Sequence, residues 1–246
     1  MLKLPYTSKQ SSLSADARVL NFRPEFPRDD VLRLMGGGPD RKGTRATNAK
    51  VETWIRRLRL SVSPRIVFSS RALRSVDHKG VQLSDGIYLR SGKLSRALGS
   101  SKRLVCFVAT LGREIDAEVS RLTEKGRLSE AYIVDALGSV CAENTVERFQ
   151  DAMDDHLREQ GLGTTLRFSP GYCDWSVRQQ ITLFRMVDAK SIGVSLSPSA
   201  LMSPQKSVSG VFGVATAGSV SPARSNPCLI CAKRDCFSRR VSSRNC

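Results

Sequence analysis

Two stretches of the chain carry residue types that can do chemistry. Arg167-x-Ser169-Pro170-Gly171-Tyr172 joins a cation, a hydroxyl, a tight turn and an aromatic ring in consecutive positions. An arginine grips a carboxylate through two parallel hydrogen bonds, and a tyrosine face attracts a cation held over it. Pro170–Gly171 turns the backbone sharply between them, because glycine accepts positive φ. Taken alone, Ser-Pro-Gly-Tyr describes an ordinary surface turn. The second stretch is the C-terminal tail, where Cys228-x-x-Cys231 is followed by Cys236 and Cys246. Thiolates at this spacing ligate zinc or an iron–sulfur cluster. Flanking Lys233, Arg234, Arg239 and Arg240 lower thiol pKa and offset thiolate charge. Cys228, Cys231 and Cys236 are the candidate metal ligands, with Cys246, Cys173 or an exogenous group as a fourth. Iron–sulfur cluster, structural zinc knuckle and unliganded tail stay open as readings.

Other constellations carry less. His78 and His156 are the only histidines, and Asp154-Asp155-His156-Leu157-Arg158-Glu159 reads as a solvated helix face. The bare Gly36–Gly38 run follows a helical pattern and reads as a C-cap rather than a phosphate cradle. No G-x-S-x-G elbow is present. Seven cysteines without an apolar leader argue against a disulfide framework. Cys106 and Cys141 sit in apolar periodic segments, as small buried hydrophobes do.

The elements that must position these residues follow from periodicity. Helices are expected after Asp29–Asp30 and over 51–60, with strands over Arg65–Ser69 and Gly86–Arg90. Arg103–Ala109 (RLVCFVA) is apolar almost throughout and predicts a buried strand. Gly112–Lys125 spaces Ile115, Val119 and Leu122 as a helix does. Residues 128–160 carry one apolar stripe, a helix of roughly 45 Å unless it breaks near Gly138. Thr164–Tyr172 reads as strand then turn, Val177–Val187 as an amphipathic helix and Ser207–Val214 as an alternating strand. Ser207 and Ser209 occupy polar positions of that strand, half-exposed on the plainest reading, and Gly210 permits a close backbone approach. Strands and helices mix without βαβ rhythm, so the fold class is α+β. We divide the chain into a loosely organised segment 1–50, a body 51–214, and a linker with a flexible Cys-rich tail, 215–246.

Composition is ordinary for a globular protein, 40% hydrophobic and 25% charged. No run of eighteen apolar residues exists, and the N-terminus lacks the apolar core of a secretory signal, which together predict a cytoplasmic protein without a membrane span. The net charge of +16 is concentrated in the first half, while residues 105–160 are acidic. Such a balance favours an anionic partner. An aromatic content of 6% offers few stacking platforms for bases, so nucleic acid ranks second to an acidic protein.

Three blocks then fit one family in order and spacing. They are R-x-S-P-G-Y at Arg167–Tyr172, the helix after Asp174–Trp175 with Gln180 and Phe184, and M-x-P-x-x-S-V-S-G at Met202–Gly210. The stretch Arg167–Val214 resembles the activation domain of cobalamin-dependent methionine synthase, and more closely its short stand-alone relatives. Weaker likeness reaches back to about residue 105. The resemblance implies an antiparallel twisted sheet flanked by helices that binds S-adenosylmethionine. In that family the ligand donates the methyl group that rescues oxidised cobalamin. The family's ligand-binding arginine and tyrosine match Arg167 and Tyr172, with Ser169, Pro170 and Gly171 as the loop between them. Its glutamate matches Glu143, with Glu147 one turn away as the alternative. Its N-terminal aspartate has no counterpart. Ser207 and Ser209 are expected to line the site.

The chain resembles no homocysteine, folate or cobalamin module, and Glu159 stands where the D-x-H-x-x-G pattern of cobalamin-binding domains has glycine. The resemblance therefore implies an accessory, methyltransferase-related reactivation component rather than a complete enzyme. Cobalamin would ride on a partner, a corrinoid-binding or methionine synthase core protein, with a flavodoxin-like protein as electron donor. The competing expectation is a basic nucleic-acid-binding or adaptor protein whose Cys tail holds a metal.

Overall fold

The strand that sequence marks as apolar throughout is buried on both faces, and the rest of the fold explains why. The structure, a computed structural model, describes residues 17–36 and 43–220. The Cys228, Cys231 and Cys236 set lies outside the described residues, as does Cys246. Strands β1 (Arg18–Asn21), β2 (Arg65–Val76), β3 (Gly80–Leu83), β4 (Tyr88–Arg90), β5 (Arg103–Thr110), β6 (Leu162–Thr164) and β9 (Ser207–Thr216) form a seven-stranded sheet. Its order is β4-β3-β2-β5-β9-β6, with β1 pairing the first half of β2, and every pairing is antiparallel. A separate two-stranded ribbon joins β7 (Ser195–Leu196) to β8 (Met202–Ser203). The helices are α1 (Arg28–Leu34), α2 (Arg45–Ser61), α3 (Gly92–Leu98), α4 (Glu114–Glu124), α5 (Leu128–Arg158) and α6 (Gln180–Phe184). This is an α+β fold built on a curled antiparallel sheet. Among the described residues no helix is long and apolar enough to cross a membrane.

Alternation along β5 divides the core. Val105, Phe107 and Ala109 face α5, where Phe149, Met153 and Leu157 cover them. Phe149 meets Phe68, Phe107 and Phe212 at ring-centroid distances of 5.0, 5.9 and 5.9 Å. Leu104, Cys106 and Val108 point the other way, onto α3 and the segment from Trp175 to Val194. A third cluster packs α1, α2 and α4 against the first half of α5. Residues 17–36 and 43–50 are tied into the same body, with β1 in the sheet and Leu20, Phe22, Phe26 and Val31 buried.

Several elements differ from their sequence expectations. β2 runs seven residues past Ser69 because its second half pairs with β3, a strand too short to stand out. The helix expected over Val177–Val187 splits into a 3₁₀ turn at Val177–Gln179 and the short α6. The long helix α5 does not break. It passes through Gly138, about 46 Å from end to end. Gly138 is there for contact: a Cβ would lie 2.7 Å from Ile115 Cγ2 and 3.1 Å from Lys206 Cγ.

Asp174 anchors the loop that follows the Ser-Pro-Gly-Tyr turn. Its carboxylate accepts hydrogen bonds from the Ser91 hydroxyl at 2.6 Å and from the backbone N–H groups of Gly92 at 2.9 Å and Lys93 at 3.2 Å. It thus caps α3 together with Ser91, whose hydroxyl accepts from Leu94 N–H. Next to it, buried Trp175 donates from its indole to Gln179 Oε1 at 2.8 Å, and that oxygen also accepts from Arg90 N–H.

Two outcomes follow. Alanine in a helix interior ordinarily gains about 1 kcal/mol over glycine, but buried Ile115 cannot yield at Gly138. Gly138→Ala is expected to lower the free energy of unfolding in urea by about 1 kcal/mol; a gain would refute the close-approach account. Asp174→Ala is expected to lower it by about 1 kcal/mol through the lost cap. The Ser91 hydroxyl bond holds the Asp174 carboxyl below its ordinary 3.8. Its contribution is therefore complete above the unfolded value and fades as pH falls through the lower folded one. The gap between wild type and Asp174→Ala should stay constant from about pH 5 to 7 and shrink below about 4.

Candidate functional site

The segment before the turn is held rigidly from two sides. Thr165 N–H donates to Gly213 O at 2.9 Å, and Phe168 and Val211 exchange backbone hydrogen bonds of 2.9 and 2.8 Å. From α5, Gln150 Nε2 donates to Thr165 O at 2.8 Å. Phe168 packs against the core cluster that holds Trp175 and Val211, and Arg167 is turned the opposite way, toward α5. There Arg167 Nη2 lies 2.8 Å from Glu143 Oε2, an ion pair across twenty-four residues of sequence. Its side chains are 23% and 42% exposed, so the pair sits at the surface. Of the two candidate glutamates, Glu143 is the one that Arg167 meets.

The turn continues from this pair. A Cβ on Gly210 would fall 3.0 Å from Ser169 Oγ and 2.7 Å from Phe168 O, so β9 and the loop touch backbone to backbone. Gly171 takes a φ of +92°, a conformation that favours glycine. Its N–H donates to Trp175 O at 2.7 Å, and Tyr172 N–H donates to Ser169 O at 3.2 Å. Pro170 is buried, whereas the Tyr172 ring is 66% exposed at the loop's outer end. Arg167 and Glu143 are thus in direct contact, while Ser169, Gly171 and Tyr172 follow Arg167 along the loop that leads to Trp175.

Ser207 and Ser209 do not join them. Both are buried rather than half-exposed, at 9% and 2%. They share the β9 face of Val211, whereas Phe212 and Val214 face α5. Ser209 Oγ donates to Gln180 Oε1 at 3.0 Å, and Gln180 Nε2 donates to Ala200 O at 3.1 Å. Ser207 Oγ donates to Pro204 O at 2.8 Å and lies 2.9 Å from Thr110 Oγ1. The hydroxyls close internal contacts, because residues 175–200 cover that face. A groove of about 670 Å³ between Ile181, Phe184, Leu196 and Pro198 is likewise separate from Arg167 and Glu143.

The remaining sequence candidates fall into place. Cys106 and Cys141 are buried, and burial pushes both thiols up, Cys141 to about 11. Cys173 is exposed. Asp154 accepts from Thr164 N–H at 2.8 Å and Asp155 pairs with Arg158 at 2.9 Å, so the segment around His156 holds local structure. Among the described residues no three His, Cys, Asp or Glu side chains converge as a metal site. Sequence reading missed the anchoring roles of Asp174 and Gln150. Asp174 has a cap-forming chemistry, but its partner helix starts some eighty positions earlier and nothing local points to it.

Comparison with known proteins places this geometry. Residues 83–219, more than half of the chain, match the profile of the family described as vitamin B12 dependent methionine synthase, activation domain. No curated protein sequence matches. A crystal structure of the MetH reactivation domain bound to AdoHcy is similar at a TM-score of 0.61 and 16% identity, over 81% of this chain and 78% of that one. At that identity the likeness is one of fold. The chain belongs to the activation-domain family of vitamin B12 dependent methionine synthase.

Proposed function

We propose that the chain binds S-adenosylmethionine or its demethylated product at the Arg167–Tyr172 loop and so supports reductive methylation of a corrinoid carried by a partner protein. The observation that carries this reading is the apposition of Arg167 and Glu143 beside the Ser-Pro-Gly-Tyr turn. The ligand's amino-acid end bears a carboxylate and an ammonium a few ångströms apart. A guanidinium and a carboxylate at 2.8 Å present the complementary charges, and Arg167 can grip the carboxylate bidentately. The exposed Tyr172 ring offers a π face for a sulfonium. S-adenosylmethionine, when bound, supplies an electrophilic methyl group. This chain's own residues bind and orient; none needs to act as nucleophile.

The partner side of the reading rests on charge. A basic chain of net +16 suits an acidic corrinoid-binding core or an acidic electron donor of the flavodoxin kind in the cytoplasm, where complementary potentials raise encounter rates. Cys228, Cys231 and Cys236 are proposed to hold an iron–sulfur cluster or zinc; anaerobic absorbance with elemental analysis separates these, and metal-free protein would remove the proposal. For the main site, calorimetric titration of wild type with S-adenosylmethionine should show saturable binding. Arg167→Ala should weaken it at least about tenfold, the loss of a charge-assisted hydrogen bond. A folded wild type that binds nothing contradicts the reading.

A further inference from the structure

We infer that the basic C-terminal segment of this chain, residues 221–246, docks along an acidic face of α5. Charge and the point where the chain leaves the fold carry the inference, which does not depend on the ligand-binding reading. Glu143, Glu147, Asp151 and Asp154 recur at three- and four-residue spacing in the second half of α5, so they share one face of the helix. Contacts locate both ends of that face. Asp154 accepts from Thr164 N–H at 2.8 Å, and Glu143 meets Arg167 at 2.8 Å. Glu147 and Asp151 lie between these ends, on the side of α5 that borders residues 164–167. Two cations of α5 stand nearby. Arg148 reaches away to Glu25 and to Arg23 O, and Arg158 pairs with Asp154 and Asp155 at the far end.

The described residues end beside Asp154. Ala217 N–H donates to Gly161 O at 3.0 Å, and a Cβ on Gly163 would fall 3.3 Å from Val220 Cγ2 and 3.5 Å from Asp154 Oδ1. Beyond Val220 the sequence carries Arg224, Lys233, Arg234, Arg239, Arg240 and Arg244 against a single acid, Asp235. The face is within their reach. From Asp154 to Glu143 the helix rises about 17 Å, a distance that five or six extended residues cover at about 3.3 Å each. Lys233 stands thirteen positions past Val220. Tethered at that point, the cations meet the carboxylates at a far higher effective concentration than a dissolved partner of like charge. Each exposed ion pair is weak and screened by salt, so docking needs several together and gives way as ionic strength rises. The arrangement holds Cys228, Cys231 and Cys236, which lie among these cations, on the side of α5 that Arg167 meets.

The test is zero-length carbodiimide coupling of the intact chain, dilute and at low salt, with the joined residues read by mass spectrometry. Lys233 is the one lysine beyond Val220, so its link reports the segment alone. It is expected to couple to Glu147, Asp151 or Asp154 within one molecule. Those links are expected to fall at least about fivefold in roughly 0.5 M salt, where charges are screened within a few ångströms. Trypsin is expected to cut after Arg239 and Arg240 at least about threefold faster in the Glu147→Gln/Asp151→Asn double variant than in wild type at the same low salt. The wild-type coupling stands by itself if that variant fails to fold. Lys233 left uncoupled, joined only to other carboxylates or joined only between molecules overturns the inference. Lys3 or Lys9 coupled to this face in its place does the same, as do equal trypsin rates in a folded variant.

Discussion

Strands β5 and β9 bury side chains on both faces, and the rest of the architecture answers that constraint. An antiparallel sheet commonly leaves one face to water. Here α5 covers one face, with Phe149 among Phe68, Phe107 and Phe212. The chain beyond Trp175 covers the other. To reach that second face the chain must leave α5, turn through β6 and pass the edge of β9. The Arg167–Tyr172 loop lies on that crossing. Its backbone is tied to β9 at Phe168, and its far end is tied to α3 by Asp174. The site loop is therefore a by-product of covering both faces, which is why an exposed turn has such rigid supports.

Much of this was legible in the residues. The unbroken apolar run of β5 marked double burial, and the stripe from Ile133 to Leu157 marked α5. What sequence hid were the elements that owe their form to distant partners. β1 is four residues of ordinary polarity, and only its pairing with β2 makes it a strand. The second half of β2 is polar and half-exposed, so no periodic signal extends it. The Ser207-Val208-Ser209 alternation looked like one wet face. The structure covers that face and satisfies the hydroxyls with Gln180, Pro204 and Thr110. Alternation reports polarity, and polarity can be met inside as well as outside.

The site shows the same division. Arg167 and Tyr172 stood out by type and spacing, but Glu143 was one of two glutamates a turn apart on a helix. Only the packing of α5 against the 165–168 segment brings Glu143 to within 2.8 Å of Arg167. The ion pair sets opposite charges side by side next to the Ser-Pro-Gly-Tyr turn. The pair's partial exposure matters as much as its distance, because a surface salt bridge of this kind adds little to stability.

A crystal structure of this chain grown with S-adenosylhomocysteine tests the central claim most directly. The proposed function predicts the ligand carboxylate on the Arg167 guanidinium and its ammonium on Glu143. Ligand seated away from both side chains would contradict it.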